Sequence, residues 1–219
     1  MFLWVFSRFA QQMPSEVLGD GGKHRLLIRL LKNDLSPNES TINWVKRIVS
    51  EASSLQAVNV RVSSRAIEFD VFSEDPVKVA MSASKLEQVL GPVETIEDLR
   101  RERRFQSDDQ AFAAAISLYR AERFWEAHEV LESIWRRTPP GGGKETLQGL
   151  ILLCAVYVHY QRGELEVALN MMPRVLRKLE SVPVSSYHDI DMKGLRAEIR
   201  NIVDRQTLEI ISLDEFKNE

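Results

Sequence analysis

The apolar period of this 219-residue chain changes once, near residue 100, and that change limits the fold more than any other feature. Ahead of it, apolar residues alternate as in strands, interrupted by two helical stripes. From Ser107 onward they recur every 3.6 positions. Strands gathered at one end and helices at the other specify a segregated α+β chain, since an interleaved parallel sheet needs the two periods to alternate throughout. The length suits one large domain or two of ordinary size.

Between 24 and 99, Leu26, Ile28 and Leu30 alternate with Leu27, Arg29 and Leu31, as in a strand covered on both faces. Ser36-Pro37-Asn38-Glu39 predicts a capped helix start with proline at the first helical position, followed by the stripe Ile42, Val45, Ile48 or Val49, Ala52 and Leu55. Val58, Val60 and Val62, then Ile67, Phe69 and Val71, predict a half-buried hairpin. Asp75-Pro76 opens a second helix carrying Val77, Ala80, Met81 and Val89, and Gly91-Pro92 stops it before a last strand at Val93–Ile96. The order βαββαβ matches a ferredoxin-like domain over 24–99. The polar positions of its strands read as ordinary solvated charges with no catalytic pair among them. The expected role is therefore docking, to a protein partner or to a second copy in a homo-oligomer.

Residues 1–23 form an N-terminal extension whose oily start, Met1 to Phe6, lacks the leader and cleavage pattern of a signal peptide. It either packs on the protein or precedes an initiation site at Met13. No run reaches the roughly 18–20 apolar residues of a membrane span. Residues 100–106 make a charged linker whose arginines read as solvated, since a formal charge of −3 gives no broad attraction to nucleic acid. Cys154, the single cysteine, allows no intrachain disulfide and no thiolate zinc site, which suits a cytoplasmic location.

From 107 to 219 the pattern predicts an all-helical domain of five antiparallel helices: Asp109 to Arg120, Arg123 to Arg137, Lys144 to Gln161, Glu164 to Glu180, and Asp189 to about Leu208. An offset of 41 relates Tyr119 to Tyr160, Phe124 to Leu165, Ala127 to Ala168 and Ile134 to Val175, as in two stacked helical hairpins.

Chemistry concentrates in the second and third of these helices. His128 and Glu132 lie one turn apart at the rim of an apolar face beside Trp135, with Glu126 and Glu129 turned towards the opposite side. The next helix is apolar nearly all round except for Gln148 and His159, which share a stripe three turns long. Packed antiparallel, the two helices bring His128, Glu132 and His159 together as two imidazoles and a carboxylate, a ligand set for zinc, manganese or iron. Glu129 or a metal-bound water then serves as the base of a hydrolase. The alternative is a non-catalytic helical adaptor in which the same His, Glu and Gln side chains form a polar network that fixes helix register. Gly141-Gly142-Gly143-Lys144 lacks the spacing of a phosphate loop, and His24 and His188 stand alone at element ends.

The run Phe124-Trp125-Glu126-Ala127-His128-Glu129-Val130-Leu131-Glu132, with Ile134-Trp135, Leu147-Gln148-Gly149-Leu150-Ile151, His159 and Arg162-Gly163, resembles the signature of an uncharacterised all-helical family, domain of unknown function 309. The resemblance covers about residues 107 to 180 and implies a compact helical fold marked by the His/Glu cluster. Proteins of this kind are labelled predicted metal-dependent hydrolases, which implies His128, Glu132 and His159 as ligands and Glu129 as base. The family pattern has Asn where this chain has Glu164, which reads as a surface change.

Overall fold

Strand β1 (His24–Leu31) lies inside a four-stranded antiparallel sheet, between β3 (Ala66–Ser73) and β4 (Val93–Asp98), with β2 (Val58–Val62) on the outer side of β3. The computed structural model describes residues 23–32, 34–100, 103–182 and 184–216, so the expectations for Met1 to Phe6 and for Met13 lie outside it. Leu26, Ile28, Leu30, Ile67, Phe69 and Val71 point to one face, as their alternation requires. There they pack on helix α1 (Glu39–Ser53), on α2 (Pro76–Ala83) and on the short α3 (Glu87–Leu90).

Two local expectations shift. The first helix is capped by Asn38, whose Oδ1 accepts from the Thr41 amide at 2.9 Å, so cap and start each fall two residues later than Ser36 and Pro37. In α2 the buried stripe is Val79 and Ala83, continued by Leu86 and Leu90. Val77, Ala80, Met81 and Val89 face solvent, because the Asp75 cap and Pro76 set a helical phase that turns them outward.

The second face of the sheet corrects the larger expectation. Arg29, Arg61, Glu68 and Asp70 are 4%, 2%, 3% and 0% exposed, and are therefore not solvated charges. They are covered by the helical half, which consists of α4 (Asp108–Arg120), α5 (Phe124–Arg137), α6 (Gly142–Gln161), α7 (Leu165–Glu180) and α8 (Met192–Arg205). The last helix begins later than the period suggests because Ser186–Tyr187 and Ile190–Asp191 pair as β5 and β6, and Asp191 caps α8 through the Lys193 amide at 2.9 Å.

The helical half has its own core. It centres on α6, which is buried nearly all round between α5 and α7. Gly149 permits the α6–α7 approach, since a Cβ there would lie 2.1 Å from Leu179 Cδ2. The repeat at offset 41 is visible in backbone detail. The α4–α5 turn has φ near −82°, 57° and −87° at Ala121, Glu122 and Arg123; the α6–α7 turn has −85°, 77° and −96° at Arg162, Gly163 and Glu164. The bonds match position for position: Arg123 N–H donates to Leu118 O as Glu164 N–H does to His159 O, and Ala127 to Arg123 as Ala168 to Glu164.

After α8 the chain returns as a strap over two tyrosines. Tyr119 donates to Ile211 O at 2.9 Å, Tyr157 accepts from Ile211 N–H at 3.0 Å and donates to Glu209 O at 3.1 Å. Tyr157→Phe strands a buried amide and is expected to lower the unfolding free energy by about 1–3 kcal/mol in urea titration. An unchanged midpoint and slope would show that the strap contributes nothing to stability.

Candidate functional site

Helix α5 packs against α6 and meets the charged face of the sheet through Trp125, whose ring centre lies 5.7 Å from the Arg25 guanidinium, and through Glu126, which interacts with Glu68. His128 turns towards α6, where Nδ1–H donates to Ile151 O at 3.2 Å and the ring stacks on Trp125 with centroids 6.1 Å apart and planes 8° apart. Burial pushes the imidazole below its usual range, offset in part by the Glu132 carboxylate and the Ile151 carbonyl. The folded state thus takes up the proton less readily than the unfolded chain. His128 is expected to cost stability as pH falls through the unfolded histidine value, about 6.5, towards the lower folded one. In His128→Gln that part of the pH dependence should vanish from melting curves taken between pH 5 and 8.

Glu132 is occupied along its own helix, accepting from Arg136 Nη2 at 2.7 Å. Glu129 is exposed, yet protein atoms crowd its carboxyl enough to push it upward against the pull of Arg25, Arg103 and Arg61. It borders a groove of about 720 Å³ lined also by Glu97, Leu99, Phe105 and Arg137. Glu126, expected on the outer side, is fully buried instead. Its Oε1 accepts from Arg123 Nε at 2.7 Å, and burial with the neighbouring Glu68 pushes its carboxyl upward against Arg123 and Arg61. Trp135 lies at the far end of α5 with Lys144 Nζ 4.6 Å from its ring centroid.

His159 meets a different partner. Its ring, 4% exposed, pairs through Nδ1 with Glu164 across the α6–α7 turn, and Arg162 holds the other oxygen of that carboxylate at 3.1 Å. Burial opposes ionisation of Glu164, but the bond from His159 and the charge of Arg162 bring its carboxyl below the usual range. Glu164, expected to be a surface change, is therefore the histidine's partner. Gln148 is half-buried near the opposite end of α6.

The structure brings His128 close to Glu132 but serves His128 and His159 separately. Ile151, which holds the first, and the second are eight positions apart on α6, or about 12 Å of helix. Among the described residues no three His, Cys, Asp or Glu side chains are placed to hold one ion. His24 pairs with Asp98 at 2.6 Å, and His188 stacks on Phe112 at 4.0 Å.

The densest charge cluster lies where the sequence pattern predicts only solvated charges. Asp70 accepts from Arg25 Nη2 at 2.6 Å, Arg61 Nη2 at 3.1 Å and Asn59 Nδ2 at 2.9 Å. A register shift in β2 between Val58 and Arg61, with Asn59 at φ 51°, accompanies the Asn59 contact. Glu68 bridges Arg29 and Arg61. From the helical side, Arg123 Nη2 reaches Glu97 at 2.5 Å, and Arg103 of the expected solvated linker reaches Glu97 at 2.8 Å and Glu126 at 3.7 Å. Opposite charges at facing strand positions, Arg29 with Glu68 and Arg61 with Glu68, are the signal that could have found it.

Comparison with known families places a match on this same region. Residues 112–171, most of α4 through the first half of α7, match the family described as Domain of unknown function (DUF309), which bears out the resemblance over that span. No curated protein matches the chain. No helix among the described residues is long and apolar enough to cross a membrane.

Proposed function

We propose that the protein is a non-catalytic helical adaptor, and that the motif residues of its helical half are internal fasteners. The observation that carries this reading is the separate service of each side chain: His128 by Ile151 O, Glu132 by Arg136, Glu126 by Arg123 and His159 by Glu164. A polar group that finds a partner within its own chain fixes helix register, which is the role this reading gives the motif. The strand order β2-β3-β1-β4 supports a ferredoxin-like reading of the N-terminal half, whose expected role is association with a protein partner or a second copy.

The competing reading, a metal-dependent hydrolase with His128, Glu132 and His159 as ligands and Glu129 as base, makes an opposite prediction. Protein purified without a metal-affinity tag, then titrated with zinc, manganese and iron, is expected to show no saturable near-stoichiometric binding. Stoichiometric metal that is lost in His128→Ala and in His159→Ala, with the fold intact, would replace the adaptor reading by the hydrolase.

A further inference from the structure

We propose that the seam between the sheet and the helical half is a reversible joint, opened and closed as a unit, which hides the charged face of the sheet when shut. The first ground is that the described residues form two hydrophobic clusters with no residue in common, one under α1, α2 and α3 and one around α6. What crosses between them is mainly hydrogen-bonded charge. Ser64 N–H donates to Glu122 Oε2 at 3.0 Å, Arg29 Nη2 to Ala121 O at 3.3 Å and Arg123 Nη2 to Glu97 at 2.5 Å, while the Arg25 guanidinium lies 5.7 Å from the Trp125 ring centre.

The second ground is imperfect closure. Three buried oxygens, Thr95 Oγ1 on β4, Glu126 Oε2 on α5 and Gln161 Oε1 on α6, have no hydrogen-bond partner within the protein among the described residues. Separating such a seam returns ions and orphaned polar atoms to water and breaks neither core. Opening would present Arg25, Arg29, Arg61, Glu68 and Asp70 as one surface. A partner that recognises that mixed-charge face could bind only the open form, so its access would be set by the joint.

The contacts span the joint from the β2–β3 turn, where Glu122 holds Ser64, to the start of β1, where Arg25 meets Trp125. A joint that moves as a unit must transmit a lesion from one end to the other. Glu122 has φ 57°, so Glu122→Asn removes the reach to Ser64 while keeping a residue suited to that backbone. With fluorotryptophan incorporated into the full-length chain, ¹⁹F relaxation dispersion reads Trp125 at the distant end, and Trp44 and Trp135 serve as references within the two halves. Glu122→Asn is expected to raise the open population sensed by Trp125 at least about tenfold and to leave the references unchanged. An unchanged Trp125 would overturn the proposal, since the contacts would then be independent. So would equal responses from all three, since the lesion would then loosen the whole molecule.

Discussion

Asp70→Asn is expected to lower the unfolding free energy by about 3–5 kcal/mol at neutral pH, the largest loss from any single polar change in the molecule. The carboxylate is fully buried and takes bonds from Arg25, Arg61 and Asn59, so neutralising it leaves the buried Arg61 guanidinium with Glu68 as its remaining carboxylate partner and takes a buried counter-charge from the half-buried Arg25. Burial alone would raise its proton affinity, but Arg61 and Arg25 reverse that and hold the carboxyl below the ordinary aspartate range. A lowered folded value contributes stability that is present above the unfolded pKa of about 3.9 and is lost as pH falls through the folded one. The wild type should therefore lose stability on acidification by an increment that the Asp70→Asn variant lacks. Urea unfolding at pH 7 and at pH 3 checks both parts; equal stability of the two proteins at pH 7 would remove Asp70 from the account.

Gly163→Ala is expected to cost about 2–5 kcal/mol for two reasons that the repeat allows to be separated. The residue has φ 77°, and an added Cβ would lie 2.6 Å from the Asn38 carbonyl carbon and 2.9 Å from the Glu39 amide nitrogen. Its counterpart in the other turn, Glu122, holds φ 57° with a full side chain. The left-handed conformation is therefore tolerated in this turn, and the close approach of the α1 N-terminus is what demands glycine. In urea unfolding, the cost of Gly163→Ala should clearly exceed the difference in stability between Glu122→Gly and Glu122→Ala, which carries the left-handed strain of a Cβ without the contact with α1. Equal values would mean that backbone strain, and not contact with α1, sets the cost.

How far the sequence is legible follows from which forces act locally. The helices from Asp108 to Glu180 can be read because their apolar spacing, the turns at Ala121 and Gly163 and the break at Pro139-Pro140 all state the same local answer. The repeat can be read for the same reason. The phase of α2 cannot, since Val77 and Met81 are as apolar as Val79 and Ala83 and only the Asp75 cap decides which pair turns inward. The burial of Arg29, Arg61, Glu68 and Asp70 is also hidden, because alternation of charged with apolar residues reads as a solvated face unless something is known to cover it. For the motif, one-turn spacing places His128 beside Glu132 correctly. The position of His159 depends on the axial register between α5 and α6, which periodicity does not contain. Its partner, Glu164, lies five residues away across a turn, where no helical spacing rule connects the two.

The central claim is that the two motif histidines hold the helical half together through partners of their own. The most direct test is the melting temperature of chelator-treated protein carrying His159→Ala or His128→Ala. Removing either ring leaves its partner, the Glu164 carboxylate or the Ile151 carbonyl, without its bond. Both variants should therefore melt several degrees lower, by about 4 °C or more for a loss near 2 kcal/mol. Variants that melt with the wild type when metal is absent, and fall below it only when metal is supplied, would show that the rings serve an ion and not the fold.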